Sequence, residues 1–150
     1  MSADIEKAIE HLRAFVPLRE ESAEEFLAEV NRFVDQFGSA AIEPLLMLAD
    51  DNCELEGVMG AMLSAIEGLP RTQVITGLLR VLPAFWVKSP MWCLTELKKC
   101  LWDPLGEAEL IRQLGSAPTQ TRTVLRDLMR EVAKRTPALA DQAERILSAF

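Results

Sequence analysis

Apolar residues recur at helical spacing from one end of this chain to the other, and no segment alternates with period two for long enough to make a strand. That pattern predicts an all-α fold. Ser2 is placed to cap a first helix with an inward stripe of Ile5, Ala8, Ile9 and Leu12, closed by Pro17. Ser22 with Glu25 three residues on reads as a capping box. The stripe behind it is Phe26, Val30, Phe33 and Phe37, and Gly38 sits where a left-handed cap belongs. A third helix starts near Ser39, keeps Pro44 in its first turn, turns Leu45, Leu46 and Leu48 inward, and is broken by Asp50, Asp51 and Asn52. The fourth, from about Glu54 to Glu67, buries Val58, Met59, Met62, Leu63 and Ile66 before Gly68 and Pro70. The fifth starts at Thr72, buries Val74, Ile75, Leu78, Leu79 and Leu82, and is expected to stop at Pro83.

Three later helix starts share one device, a capping residue followed by proline: Ser89-Pro90, Asp103-Pro104 and Thr136-Pro137. Another helix runs from about Thr119 to Arg135, with Val124, Leu125, Leu128, Met129 and Val132 on one face. Eight or nine helices with short connections leave no room for a linker, so residues 1–150 are expected to form a single helical domain. Helix pairs begin near Ser39, Thr72 and Pro104, a period of about thirty residues that suits HEAT-like antiparallel hairpins stacked side by side. The residue-level repeat is weak, and an irregular helical bundle stays open as the alternative.

Charge is divided along the chain. Residues 1–67 hold fifteen Asp or Glu against four Lys or Arg, net −11, and residues 68–150 hold eight against twelve, net +4. The acids concentrate in a ladder of Glu20, Glu21, Glu24, Glu25, Glu29 and Asp35 and in a knot of Asp50, Asp51, Glu54 and Glu56. Such a face repels nucleic acid and anionic lipid and steers a basic protein onto a defined surface. A solvated helix face is the plainer reading of any single one of these acids. The start of the chain has no basic, apolar leader and no stretch suits a membrane span, so a cytoplasmic protein is expected. Cys93 and Cys100, if on one helix, are separated by about 10.5 Å of rise. That exceeds the roughly 7 Å a disulfide tolerates, and reduced thiols fit all three cysteines.

Residues able to carry chemistry are scarce. His11 is the one histidine, on the exposed side of the first helix, and tyrosine is absent. No nucleophile-elbow, phosphate-loop or zinc-protease pattern occurs. Cys53, Cys93, Cys100 and His11 lack the close pairing of a zinc site, and Cys93 and Cys100 read as small apolar core residues. The segment Asp50 to Glu56 lacks the alternating oxygen ligands and central glycine of a calcium loop. The expectation is therefore no enzyme, no cofactor and no metal.

Two features bear on binding. Gly57, Ala61, Ser64 and Gly68 form a stripe at i, i+4, i+7 and i+11, read as tight packing against a helix of the same chain, with a partner's backbone as the alternative. Trp86, expected outside a helix just before Lys88, is a candidate exposed anchor. The candidate partner-binding residues are thus Asp50, Asp51, Glu54, Glu56, Glu21, Glu25 and Trp86.

Asp50-Asp51, Glu54, Val58-Met59, Ile66-Glu67, Leu78-Leu79, Leu82-Pro83, Ser89-Pro90 and Trp92 with Leu94 and Leu97 resemble, in order and spacing, the thirtieth immunity-protein family of bacterial polymorphic toxin systems. The resemblance spans roughly residues 40 to 100. It implies a small cytosolic protein that binds a cognate toxin domain, one with a basic surface by the charge argument, and blocks it. Where the family tends to show an Arg-Ile-Leu-Asn-like stretch, this chain has Lys99, Cys100, Leu101 and Trp102. A general HEAT-like adaptor without catalytic activity is the competing reading.

Overall fold

The computed structural model describes residues 2–150. Among the described residues nine α-helices follow one another: α1 (Ala3–Arg13), α2 (Ala23–Phe37), α3 (Ile42–Leu48), α4 (Glu56–Ser64), α5 (Arg71–Lys88), α6 (Pro90–Trp102), α7 (Pro104–Leu114), α8 (Thr119–Arg135) and α9 (Ala140–Leu147). Short 3-10 turns at Glu20–Ser22, Gly38–Ala41, Ala65–Gly68 and Pro137–Leu139 lead into or extend them. The fold is all-α, and each expected helix has its counterpart. None of them is long and apolar enough to cross a membrane.

Local chemistry explains most of the boundaries. The Ser2 hydroxyl accepts from the Ile5 amide at 3.4 Å, and Ile5, Ile9 and Leu12 are buried. In α2, Phe26, Val30 and Phe33 turn inward while Glu24, Glu25 and Asp35 face water. The helix ends at Gly38 with φ +55°, a conformation that penalises any Cβ. The expected capping box does not form, because the Ser22 hydroxyl sits in a 3-10 turn and donates instead to the Arg19 carbonyl at 3.2 Å. Of the three X-Pro starts, Asp103 alone caps through its own side chain, accepting from the Leu105 amide at 3.1 Å.

Pro83 does not stop α5. The helix continues through it to Lys88, which also puts Trp86 inside a helix rather than outside one. A proline at position 83 removes the amide that would bond the Leu79 carbonyl, a buried acceptor that needs another donor. Thr121 of α8 supplies it: its hydroxyl, itself buried, donates to the Leu79 carbonyl at 3.2 Å. The lost hydrogen bond is replaced from another helix, so the break expected from local sequence is avoided.

The adjacent helices α1 and α2, α3 and α4, α5 and α6, α6 and α7, and α8 and α9 pack on each other, and so do helices two apart, α2 on α4, α3 on α5, α5 on α7 and α7 on α9. This packing runs from α1 to α9. Contact between α5 and α8 adds to it and sets α5 at the centre of the molecule. Gly77 permits a close crossing of α3 on α5, since a Cβ there would lie 2.6 Å from Ile42 Cγ2. One continuous apolar core runs from Ile5 to Ile146. Phe26 and Phe85 are wholly enclosed in it, each stabilising the fold by roughly 1.5–3 kcal/mol through burial.

Candidate partner-binding surface

The acidic knot turns out to be divided between structure and solvent. Helix α3 ends against the start of α6, and each end satisfies the other's unpaired backbone groups. From the α6 side, the Lys88 ammonium donates to the Met47 and Ala49 carbonyls, the latter at 3.1 Å, and the Ser89 hydroxyl donates to the Ala49 carbonyl at 2.6 Å. From the α3 side, the Asp51 carboxylate accepts from the Met91 amide at 2.8 Å and the Trp92 amide at 3.1 Å. Asp51 thereby caps α6, the task the sequence assigned to Ser89. Burial pushes the Lys88 pKa below its ordinary value, and the nearby Asp50 charge opposes that shift. Asp50 closes its own turn by accepting from the Asn52 amide at 2.9 Å.

Glu54 and Glu56 stand apart from this clasp. Both are exposed, and neither forms an ion pair among the described residues; the same holds for Glu21 and Glu25 on the ladder. Glu29 differs, pairing with Arg32 and lying 3.6 Å from His11 Nε2. The knot adjoins the segment that leads into the ladder. Residues Val16, Pro17 and Leu18, which lead to Glu20, share a shallow cavity of about 250 Å³ with Asp50, Asn52, Cys53 and Glu54. The knot and the segment that leads into the ladder therefore frame one lip of the molecule.

Trp86 is half-buried against the core. The large apolar side chains in water are instead Val87, Met91, Trp102 and Leu105, with Trp102 60% and Leu105 63% exposed. Periodicity could have found Trp102. Buried positions of α6 fall at Trp92, Cys93, Glu96, Leu97 and Leu101, and the roughly 100° step from Leu101 carries Trp102 off that face. The small-residue stripe is not packed inside the chain. Gly57, Ala61, Ser64 and Gly68 are all exposed, and a Cβ on Gly57 or Gly68 would meet nothing within 4 Å.

The thiols are poorly suited to nucleophilic work, since burial pushes Cys93 and Cys100 each up to about 12 and keeps them protonated. No group of three or more His, Cys, Asp or Glu side chains among the described residues is disposed to hold a metal. What this lip offers is fixed negative charge beside a rigid turn.

The family model described as Immunity protein 30 matches residues 15–110. The chain belongs to that family. The general role that membership of an immunity family carries is toxin neutralisation. No curated protein and no solved structure matches the chain. The match is longer than the resemblance read from residues 40 to 100, taking in α2 with its acidic ladder at one end and α7 up to Leu110 at the other. This immunity protein's clasp and its unpaired acids both lie within the matched segment, whereas α8 and α9 lie beyond it.

Proposed function

We propose that this immunity protein binds a cognate toxin domain through the acidic lip, with Glu21, Glu25, Glu54 and Glu56 pairing with Lys or Arg on the toxin. Asp50 and Asp51 shape and hold the turn that presents Glu54 and Glu56. The observation that carries the reading is that these four carboxylates are exposed and unpaired inside a matched immunity segment. Opposite charges held close in a protein interface couple by about 1.5–7 kcal/mol, enough for a few such pairs to dominate recognition. A toxin that works on nucleic acid or nucleotides needs a basic substrate groove, and an acidic lip seated in that groove would occlude it.

The test is co-expression with the toxin domain encoded by the neighbouring gene. Cells should survive only when the immunity protein is present, and the purified complex should weaken steeply with added salt. Equal killing with and without the protein would sink the reading. A complex indifferent to salt would leave neutralisation standing and remove the acidic lip from the interface.

A further inference from the structure

A second concavity lies away from the lip, between the trailing 3-10 turn of α4 and helices α5, α6 and α7. It encloses about 430 Å³, within the roughly 300–1,000 Å³ typical of ligand pockets. Its floor is apolar, with Ile66, Ile75 and Leu78 buried beneath it. Its charged lining is Glu67, Arg71, Glu96, Lys99 and Asp103, three carboxylates against two cations.

The polar groups are organised. Glu96 is only 6% exposed, an uncommon depth for a carboxylate. Lys99 bridges it at 2.9 Å to Glu67 at 3.1 Å, through one oxygen of each carboxylate. The second oxygen of each accepts no hydrogen bond among the described residues. Arg71 and Asp103 pair across the opposite side at 2.9 Å. An entering cation would bring this lining to neutrality, whereas an anion would meet an excess of like charge. The apolar floor adds a second requirement, an aliphatic stem behind the charge.

We propose that this pocket receives one basic side chain, arginine or lysine, of the toxin partner, its stem on the apolar floor and its charged head against the free oxygens of Glu67 and Glu96. The guanidinium fork of arginine, with two parallel donors, suits a pair of carboxylates best. The turn that contributes Asp103 also holds Trp102 and Leu105 in water, the kind of apolar residues that surround a central anchor in protein interfaces. The assignment rests on the toxin-binding reading above and adds a second attachment point to it.

Titrating N-acetyl-arginine amide and, separately, N-acetyl-glutamate amide into the isotopically labelled protein tests the pocket without a toxin. The arginine probe should shift the backbone amides around Glu67, Glu96 and Lys99 saturably, and the glutamate probe should not. Glu67→Gln, at an exposed position that does not threaten folding, should weaken the arginine probe about fivefold, and Arg71→Gln, which makes the lining more negative, should tighten it. Tighter binding in Glu67→Gln, weaker binding in Arg71→Gln, or shifts confined to Glu21, Glu25, Glu54 and Glu56, would overturn the assignment. With the toxin domain, a wild-type complex whose Kd is unchanged by Glu67→Gln and Glu96→Gln removes the pocket and spares the toxin-binding reading. Absence of any wild-type complex removes that reading instead.

Discussion

The two halves of the molecule use their acids in opposite ways. After Gly68, Glu96, Asp103, Glu107, Glu109, Asp127 and Glu131 are all held in ion pairs, which is six of that region's eight acids. Before Gly68, among the described residues, only Glu10, Glu29 and Glu67 of fifteen are so held. The lesson is that charge density alone does not mark a surface for binding. Charge the fold leaves uncompensated keeps its full field for a partner. Asp51 is the instructive exception, an acid in the free half that is wholly engaged by the backbone of the other.

The comparison can be broken most forcefully at the free acids. Reversing Glu21, Glu25, Glu54 and Glu56 to Lys should weaken toxin binding about a hundredfold or more and flatten its salt dependence. The same variant should change the urea midpoint by less than about 0.5 kcal/mol equivalent, as isolated surface changes do. Binding measured by calorimetry at two salt concentrations decides it, and an unaltered Kd would place these acids with ordinary solvated faces.

Asp51 should behave in the reverse sense. Asp51→Ala removes two charge-assisted bonds to the first turn of α6 and is expected to cost about 2 kcal/mol in chemical unfolding. Glu54→Ala, three residues along, should leave stability nearly unchanged. Equal effects at the two positions would erase the distinction between clasp and lip. In the compensated half, Arg145→Met strands the buried Glu107, whose Oε2 now accepts from Arg145 Nη2 at 3.0 Å. Arg145 is itself largely exposed, so the expected loss is smaller than that of Asp51→Ala, read from the same unfolding curves.

The smallest effects lie in the pH profile. Arg112 and the Gln113 amide hold the Glu109 carboxyl at about 2, below its ordinary 4.5. Its contribution is present above pH 4.5 and is lost as pH falls toward 2, so Arg112→Gln should soften the acid side of the stability curve. Glu96 has the opposite sign, because burial raises its pKa despite the Lys99 hydrogen bond. Its contribution is fullest below pH 4.5 and declines as pH rises through the raised value, a decline that Glu96→Gln should remove. Unfolding measured from pH 2 to 7 separates the two.

What could be read from sequence was whatever neighbours in sequence decide. The α2 stripe of Phe26, Val30 and Phe33 and its stop at Gly38 are matters of 3.6-residue periodicity and one backbone angle, and both were legible. The course of α5 was not, since the donor that lets it pass Pro83 comes from Thr121. Nor was the fate of Asp51, bonded to amides forty residues away, because a cap supplied from another helix leaves no local pattern. The small-residue stripe misled for a related reason: spacing puts Gly57, Ala61, Ser64 and Gly68 on one face without saying which way it turns.

The hydroxyl of Thr121 also bears on how far the matched segment can be treated as a module. Residues 15–110 contain the lip, the clasp and the second pocket, yet the donor for the Leu79 carbonyl lies beyond them. A chain ended at residue 110 would leave that carbonyl facing the space α8 had filled, and α5 would be free to fray where Pro83 interrupts its hydrogen bonds. Lys88 and Ser89 hang from that same stretch of helix. The last forty residues thus act as a buttress, lending rigidity to a surface built from other helices.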